Sequence, residues 1–135
     1  MSLRDGIKSA YDASGLASQF AGGYWLDFAP AGTAFPFLSA TWLSAPLTQK
    51  YGAVTPHAAE LVQFSIIGTG ASTVGRLATA TACALAVPIT LDDGVTLNAI
   101  QKNRPIPRKQ RRIGPDNIDV WMATFDVLYT TQVTE

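Results

Sequence analysis

The chain has 135 residues, of which 47% are hydrophobic and 15% charged, and its ten basic residues balance ten acidic ones. This length predicts a single domain over residues 1–135, and the composition excludes wholesale disorder because disordered chains are poor in apolar residues and rich in charge. No run approaches the ~18 apolar residues of a membrane span, and residues 1–6 lack the basic-then-apolar pattern of a signal peptide, so neither feature is expected.

The first half of the chain is predicted to contain one helix and three strands. Apolar residues at helical spacing predict a helix over residues 3–20. Two short strands are expected at 24–28 and 35–43, followed by a polar loop or long turn at 44–60. Residues 60–68 alternate apolar and polar side chains, which is the clearest strand signal in the sequence.

The second half is predicted to contain a helix at 72–86, a small hairpin and a long terminal strand. An Asp-Asp-Gly turn at 92–94 would join the hairpin strands 89–91 and 95–97. The strand at 118–131 has two substantially apolar faces, so we expect a helix to cover one and another subunit to cover the other. The order predicts an α+β fold: a mostly antiparallel sheet of four or more strands packed by two helices, with a small hairpin and an extended basic arm.

The only histidine and the only cysteine are weak candidates for chemistry. His57 lies in the predicted loop near Glu60, but no second motif accompanies it, so an exposed loop side chain is the preferred interpretation. Cys83 lies among alanines of a predicted helix, with no cation nearby in sequence to activate it. We therefore expect a buried structural thiol, and a single cysteine excludes an intrachain disulfide.

Two loop motifs are also better explained by backbone geometry than by ligands. The turn at 92–94 lacks the further oxygen ligands that calcium requires. The Gly-Thr-Gly-Ala-Ser sequence at 68–72 lies between a strand and a helix, as a phosphate-binding loop would, but it lacks the third glycine and the lysine of such motifs. We interpret it as a tight strand-to-helix turn. No catalytic residue, cofactor or metal site is predicted.

One segment concentrates the positive charge and is called here the basic arm, residues 102–112. Its eleven positions contain no acid and six of the ten basic residues: Lys102, Arg104, Arg108, Lys109, Arg111 and Arg112. Pro105 and Pro107 exclude a regular helix, so the basic arm is expected to be an extended arm or a hairpin tip. It is either a solvated loop or a surface that meets acidic groups of another chain or DNA phosphates. Base stacking is not expected because no aromatic residue lies among the cations.

Several short motifs occur in order over nearly the whole chain. They are the helix at 3–20, Phe28-Ala29-Pro30, Phe35-Pro36-Phe37-Leu38, the strand 62–68, the helix at 72–86 and the strand Trp121 to Val127. In their order and spacing they resemble the bacteriophage tail terminator family of long-tailed phages, also called tail completion or minor tail proteins. Ile67 stands where the family has a tryptophan, and the stretch 103–115 is longer and more basic than in the family.

The resemblance implies a structural role with no catalysis and no cofactor. Such proteins form a ring, commonly a hexamer, that caps the tail tube, stops its polymerisation and provides the surface for head joining. The implied partners are copies of the same chain, the tail tube protein, a head-completion or connector protein, and DNA that passes through the ring without sequence specificity. The implied location is the tail or neck of the virion, after assembly in the host cytoplasm, with no membrane partner.

The low charged fraction agrees with a surface that is partly covered by other subunits. Trp121, Trp42 and Trp25 are candidate subunit-interface residues, because tryptophan is enriched at interface centres, with ordinary core packing as the alternative. Two other functions stay open: a head-side connector (adaptor or stopper) and a small DNA-binding module that uses the basic arm. An enzyme is disfavoured because the sequence offers no paired acid–base residues.

Overall fold

A computed structural model describes residues 3–30, 32–43, 60–90, 96–113 and 118–131, which form two α-helices and seven strands. The elements are α1 (Leu3–Ala13), β1 (Tyr24–Leu26), β2 (Phe37–Trp42), β3 (Glu60–Gly68), α2 (Ala71–Leu85), β4 (Ile89–Thr90), β5 (Thr96–Gln101), β6 (Arg108–Ile113) and β7 (Ile118–Thr131). The strands form one sheet in the order β1-β2-β3-β7-β5-β4, with β6 also paired to β7. Only β1 and β2 run parallel among these pairings, which confirms the predicted α+β fold.

The first helix is shorter than the predicted span 3–20. It ends at Ala13, and Gly15 then adopts a left-handed backbone conformation with φ 85° before a single 3₁₀ turn at Leu16–Ser18. Glycine takes this conformation without the steric cost that a Cβ would bring. Leu16 and Phe20 are nevertheless buried, so the apolar spacing continues after the helix has ended.

The other predicted helix and strands are confirmed to within two residues at each end where they fall on described residues, except that β5 continues to Gln101, four residues beyond its predicted end. The strand predicted at 24–28 stops at Leu26, because Asp27 turns the backbone with φ 66°. The small hairpin is confirmed by antiparallel pairing of β4 with β5. Residues 44–59 of the predicted loop, which include His57, and the turn at 92–94 lie outside the described residues, while Glu60 begins β3.

The core lies between the two helices and one face of the sheet. The central strands β3 and β7 contribute Phe64 and Phe125, whose ring centroids are 5.4 Å apart, and both side chains are fully buried. From α2, Val74, Leu77 and other small or apolar side chains complete the same buried cluster. Alternation along the strands places these apolar groups on the helix side, as the period-2 pattern predicts.

The opposite side of the sheet, called here the outer face, is only half-buried. In β7 the side chains of Met122, Thr124, Asp126 and Leu128 alternate with the buried residues and are of intermediate exposure. Both helices pack on the core side. The expected cover of the second face of β7 is therefore not supplied by either described helix.

The long strand β7 has partners along both of its edges. One edge pairs with β3 from Trp121 to Tyr129. The other edge pairs with β6 at its start and with β5 at its end, so β5 and β6 lie end to end along β7. The first part of the basic arm connects them.

Candidate functional site

The basic arm leaves the sheet briefly and then rejoins it. Lys102 still follows β7, since its backbone N–H donates to the carbonyl of Asp126 at 2.8 Å, and the Asn103 side-chain oxygen accepts the Asp126 N–H at 2.7 Å. Pro105 and Pro107 have no N–H to donate, so ladder pairing stops there. Pairing resumes at Arg108, which lies opposite Met122. Residues 108–113 therefore form a strand paired with β7, whereas the sequence predicted an extended arm or a hairpin tip for the segment.

Pro107 packs the segment that connects β5 to β6 against α2 at Gly75. A Cβ on Gly75 would lie 3.2 Å from Cγ of Pro107, closer than ordinary van der Waals contact. The small residue therefore lets the connection lie close to the helix, and this contact holds the basic arm beside the edge of the sheet.

The cations of the basic arm differ in their partners. Lys109 lies 3.5 Å from the Asp119 carboxylate on the adjacent strand. Among the described residues, no carboxylate lies within ion-pair distance of Lys102, Arg104 or Arg108, and all three are exposed. Arg111 and Arg112 belong to β6, but their side chains lie outside the described part of the structure. Lys102, Arg104 and Arg108 therefore carry positive charge that no carboxylate of the described residues compensates.

A recess of about 180 Å³ opens on the outer face beside this edge, and we call it the arm recess. It is lined by Asn103, Arg104, Ile106, Arg108, Gln110, Met122 and Thr124. Ile106 is 54% exposed, so the recess combines two arginines with an exposed aliphatic side chain. Its chemistry suits a partner that brings both a carboxylate and an apolar group.

A second open groove, of about 430 Å³, lies on the helix side of the same connection. Arg104 and Pro105 form one wall, and Ala82, Cys83 and Ala86 of α2 form the other. Cys83 is exposed, so the prediction of a buried structural thiol was wrong. Cys83 follows Val74 by nine residues, which at 100° per residue places it about 180° around the helix from that buried side chain.

At the opposite edge of the sheet, the turn after β1 presents an acid and an aromatic ring. Asp27 has φ 66°, and the Phe28 N–H donates to the Leu26 carbonyl at 2.8 Å. Phe28 is 85% exposed, the most exposed large apolar side chain among the described residues. We call Asp27 and Phe28 the β1 tip. Sequence reasoning missed it as a feature, although an Asp-Phe-Ala-Pro run directly after a strand was a signal for a turn.

The outer face between these two edges has a polar floor. Ser39, Ser65 and Thr124 lie side by side on β2, β3 and β7, and the Ser65 and Thr124 hydroxyls are 3.3 Å apart. A cavity of about 440 Å³ runs over this floor from the β1 tip toward Met122. Asp126 has one carboxylate oxygen that is buried without a hydrogen-bond partner among the described residues. The floor thus offers polar groups to whatever covers it.

The three tryptophans are all half-buried in the single chain. The Trp25 indole N–H donates to the Gly22 carbonyl at 2.7 Å, and that of Trp42 donates to the Glu60 carboxylate at 2.8 Å. The Arg4 guanidinium lies 4.8 Å from the Trp42 ring centroid, within cation–π distance. Trp121 packs against the edge of the core. Their role as subunit-interface residues stays a prediction.

Of the features that were weighed for chemistry, the structure describes Cys83 and the glycine sequence at 68–72. No group of three or more His, Cys, Asp or Glu side chains is arranged to hold a metal ion among the described residues. The glycine sequence at 68–72 is the tight turn that was predicted, since β3 ends at Gly68 and α2 begins at Ala71. A Cβ on Gly68 would lie 2.9 Å from Cγ2 of Val74, so the glycine permits close strand-to-helix packing.

Neither helix of the described segments is long and apolar enough to cross a membrane.

Comparison with known proteins places the fold. No family model matches the chain, and no curated protein matches it. A solved structure titled "Virion of native gene transfer agent (GTA) particle" contains a chain that matches with a TM-score of 0.57 and 19% identity, over 95% of this chain and 94% of that one. A second solved structure matches with a TM-score of 0.51 and 15% identity, over 100% of this chain and 99% of that one. The chain therefore has the same fold as a protein chain of a virion.

Proposed function

We propose that the chain is a structural protein of a bacteriophage virion, a ring-forming tail terminator without catalytic activity. The observation that carries the proposal is the shared fold with a chain of a gene transfer agent virion over nearly the full length of both chains. The motifs that resemble the tail terminator family give the finer assignment. The protein would cap the tail tube, stop its polymerisation and provide the surface for head joining.

The exposed apolar side chains support assembly into a larger particle. Among the described residues, large apolar side chains with substantial exposure are Leu26, Phe28, Leu43, Ile100 and Ile106. Only 15% of the chain is charged, so few charged side chains are available to keep a surface with these apolar groups well solvated. Covering them with identical subunits removes apolar area from water, which is the dominant favourable term in most protein association.

A ring explains how one small chain can end polymerisation. Heterologous contacts that close by rotation use up the lateral binding surfaces of every copy. The two faces of the ring then differ, so one face binds the tube and the other offers no surface for another tube layer. The head-completion or connector protein binds that second face, and the basic arm of each copy projects toward the lumen, the tube or the neighbouring subunit.

Electron microscopy of particles made without this protein tests the function. Overlong tails that lack heads are the expected result, because nothing then stops the tube. Tails of normal length together with heads that lose their DNA would contradict the terminator and favour the head-side connector, which the virion fold also allows.

A further inference from the structure

The two edges of the sheet carry complementary groups that the described residues of a single copy leave unpaired. One edge holds the β1 tip, with a carboxylate and an exposed phenyl ring. The other edge holds the arm recess, with two arginines and an exposed isoleucine. Opposite charge and matching apolar character make the two sets fit each other.

The β1 tip is held in a defined position by backbone contacts. The Asp27 N–H donates to the Ala40 carbonyl at 2.8 Å, and the Ser39 hydroxyl donates to the Asp27 carbonyl at 3.1 Å. The backbone of Asp27 is therefore tied to β2 although its φ is 66°. Such conformations persist where the surroundings fix them, and they occur preferentially at functional positions. Phe28 is thus presented outward from an anchored turn.

The charges at the two edges have no ion-pair partners among the described residues of their own copy. No cation lies within ion-pair distance of Asp27 among the described residues. Likewise, no described carboxylate lies within ion-pair distance of Arg104 or Arg108, and these two arginines both line the arm recess. Planar guanidinium groups bind carboxylates through paired, charge-assisted hydrogen bonds, so the arm recess is chemically suited to an aspartate.

The β1 tip cannot reach the arm recess of its own chain. Strands β1 and β6 are four strand spacings apart across the sheet, or about 19 Å at ~4.8 Å for each spacing. We infer that the arm recess of one copy receives Asp27 and Phe28 of the next copy, so that identical subunits join head to tail. A contact between two different edges is heterologous, and its repetition closes a ring where the rotation between copies divides a full turn and gives an open filament where it does not. The inference rests on the proposed function only in that copies of the chain must associate.

Charge reversal at either edge tests the contact. Asp27→Lys alone, or Arg104→Asp together with Arg108→Asp, sets like charges against each other, and we expect self-association to weaken about tenfold or more. In an equimolar mixture the two variants can alternate, so that the reversed tip of one meets the reversed recess of the other and the unaltered tip meets the unaltered recess. Every contact then pairs opposite charges, and the assembly should return. The molecular mass of each sample by light scattering over a range of concentration is the measurement. Asp12→Lys makes the same charge change on α1 and serves as the matched control.

Crosslinking gives an independent measurement that does not depend on charge. In a chain carrying Cys83→Ser, the pair Phe28→Cys and Ile106→Cys should form disulfides between copies on oxidation and give a ladder of oligomers. The pair Phe28→Cys and Ile100→Cys is the control, because Ile100 is also exposed but does not line the arm recess. A ladder of equal yield from both pairs would overturn the inference.

The failure of this contact is distinguishable from failure of the proposed function. Unchanged assembly of both charge variants, a particle that stops at two copies, or an unaltered chain that stays at 14.3 kDa at every concentration would each overturn the head-to-tail contact. None of these results changes the tail lengths of particles made without the protein, which test the terminator function separately.

Discussion

The hydroxyl of Tyr129 on β7 donates a hydrogen bond to the backbone carbonyl of Leu85, the last residue of α2. Both residues are fully buried. The last carbonyls of a helix have no partner within the helix, so this hydroxyl satisfies one of them inside the core. The contact ties the end of the second helix to the terminal strand.

Tyr129→Phe removes that donor and leaves the Leu85 carbonyl buried without its partner. We expect the free energy of unfolding to fall by about 1–3 kcal/mol, with no change in the slope of the denaturant curve. Tyr24→Phe is the matched control, because the Tyr24 hydroxyl is buried without a hydrogen-bond partner in the described structure. Equal losses from the two variants would contradict the assigned role of the Tyr129 hydroxyl.

The same tyrosines predict a loss of stability at high pH. Burial raises the pKa of Tyr24 to about 12 and raises the pKa of Tyr129 further, from the usual value of 10. The folded chain then holds these protons more tightly than the unfolded chain, so stability is complete below pH 10 and decreases as the pH rises from 10 toward 12. The decrease is about 1.4 kcal/mol per pH unit for each buried tyrosine. Denaturant unfolding between pH 9 and 12 measures it, and Tyr24→Phe should make the dependence shallower.

Gly22 is a position where any side chain would disturb the backbone. A Cβ there would collide with the carbonyl oxygen of Ala34 and lie 2.8 Å from Cβ of Phe37. We expect Gly22→Ala to destabilise the fold by about 1–3 kcal/mol or more, since a backbone oxygen cannot rotate away as a side chain can. A Cβ on Gly70 would make only an ordinary van der Waals contact, with the nearest atom at 3.8 Å, so the thermal unfolding of Gly70→Ala should change much less. A Gly22→Ala chain as stable as Gly70→Ala would show that the segment shifts freely.

Charge reversal along the basic arm tests its part in assembly. We expect replacement of Arg108, Lys109, Arg111 and Arg112 by glutamate to give particles with altered tail length or defective head joining. The reason is that six copies in a ring would bring these cations close together, where they require nearby acidic surface or DNA. Electron microscopy of the assembled particles is the measurement. Normal tails with attached heads would mean that the basic arm is a solvated loop.

The central elements could be predicted because their patterns are local. In β3 the alternation of Val62, Phe64 and Ile66 with polar residues has the period of a strand, and Gly68 marks its end. The same reasoning misplaced the end of α1, because Leu16 and Phe20 continue the apolar spacing past the left-handed Gly15. Whether a side chain is buried depends on the direction in which it points, and the 3₁₀ turn keeps these side chains directed into the core after the helix has ended.

Strand β6 and the β1 tip could not be predicted from local patterns, because both depend on tertiary structure. Residues 108–112 are entirely polar, so no alternation predicts a strand, and the segment pairs because β5 covers only the end of that edge of β7 and leaves its start free. The clustering of cations in the basic arm was visible in the sequence. The position of Asp27 at the opposite edge was not, since it follows from the parallel insertion of β1 beside β2.

The end-to-end arrangement of β5 and β6 along one strand has a mechanical consequence. Tension applied to the basic arm along the axis of β6 loads the hydrogen bonds between β6 and β7 in shear. These hydrogen bonds must then break together rather than one after another. The load passes from there through β7 into β3, where Phe125 and Phe64 are packed in contact. A force applied at the β6 edge of the sheet is therefore transmitted to the hydrophobic core of the subunit.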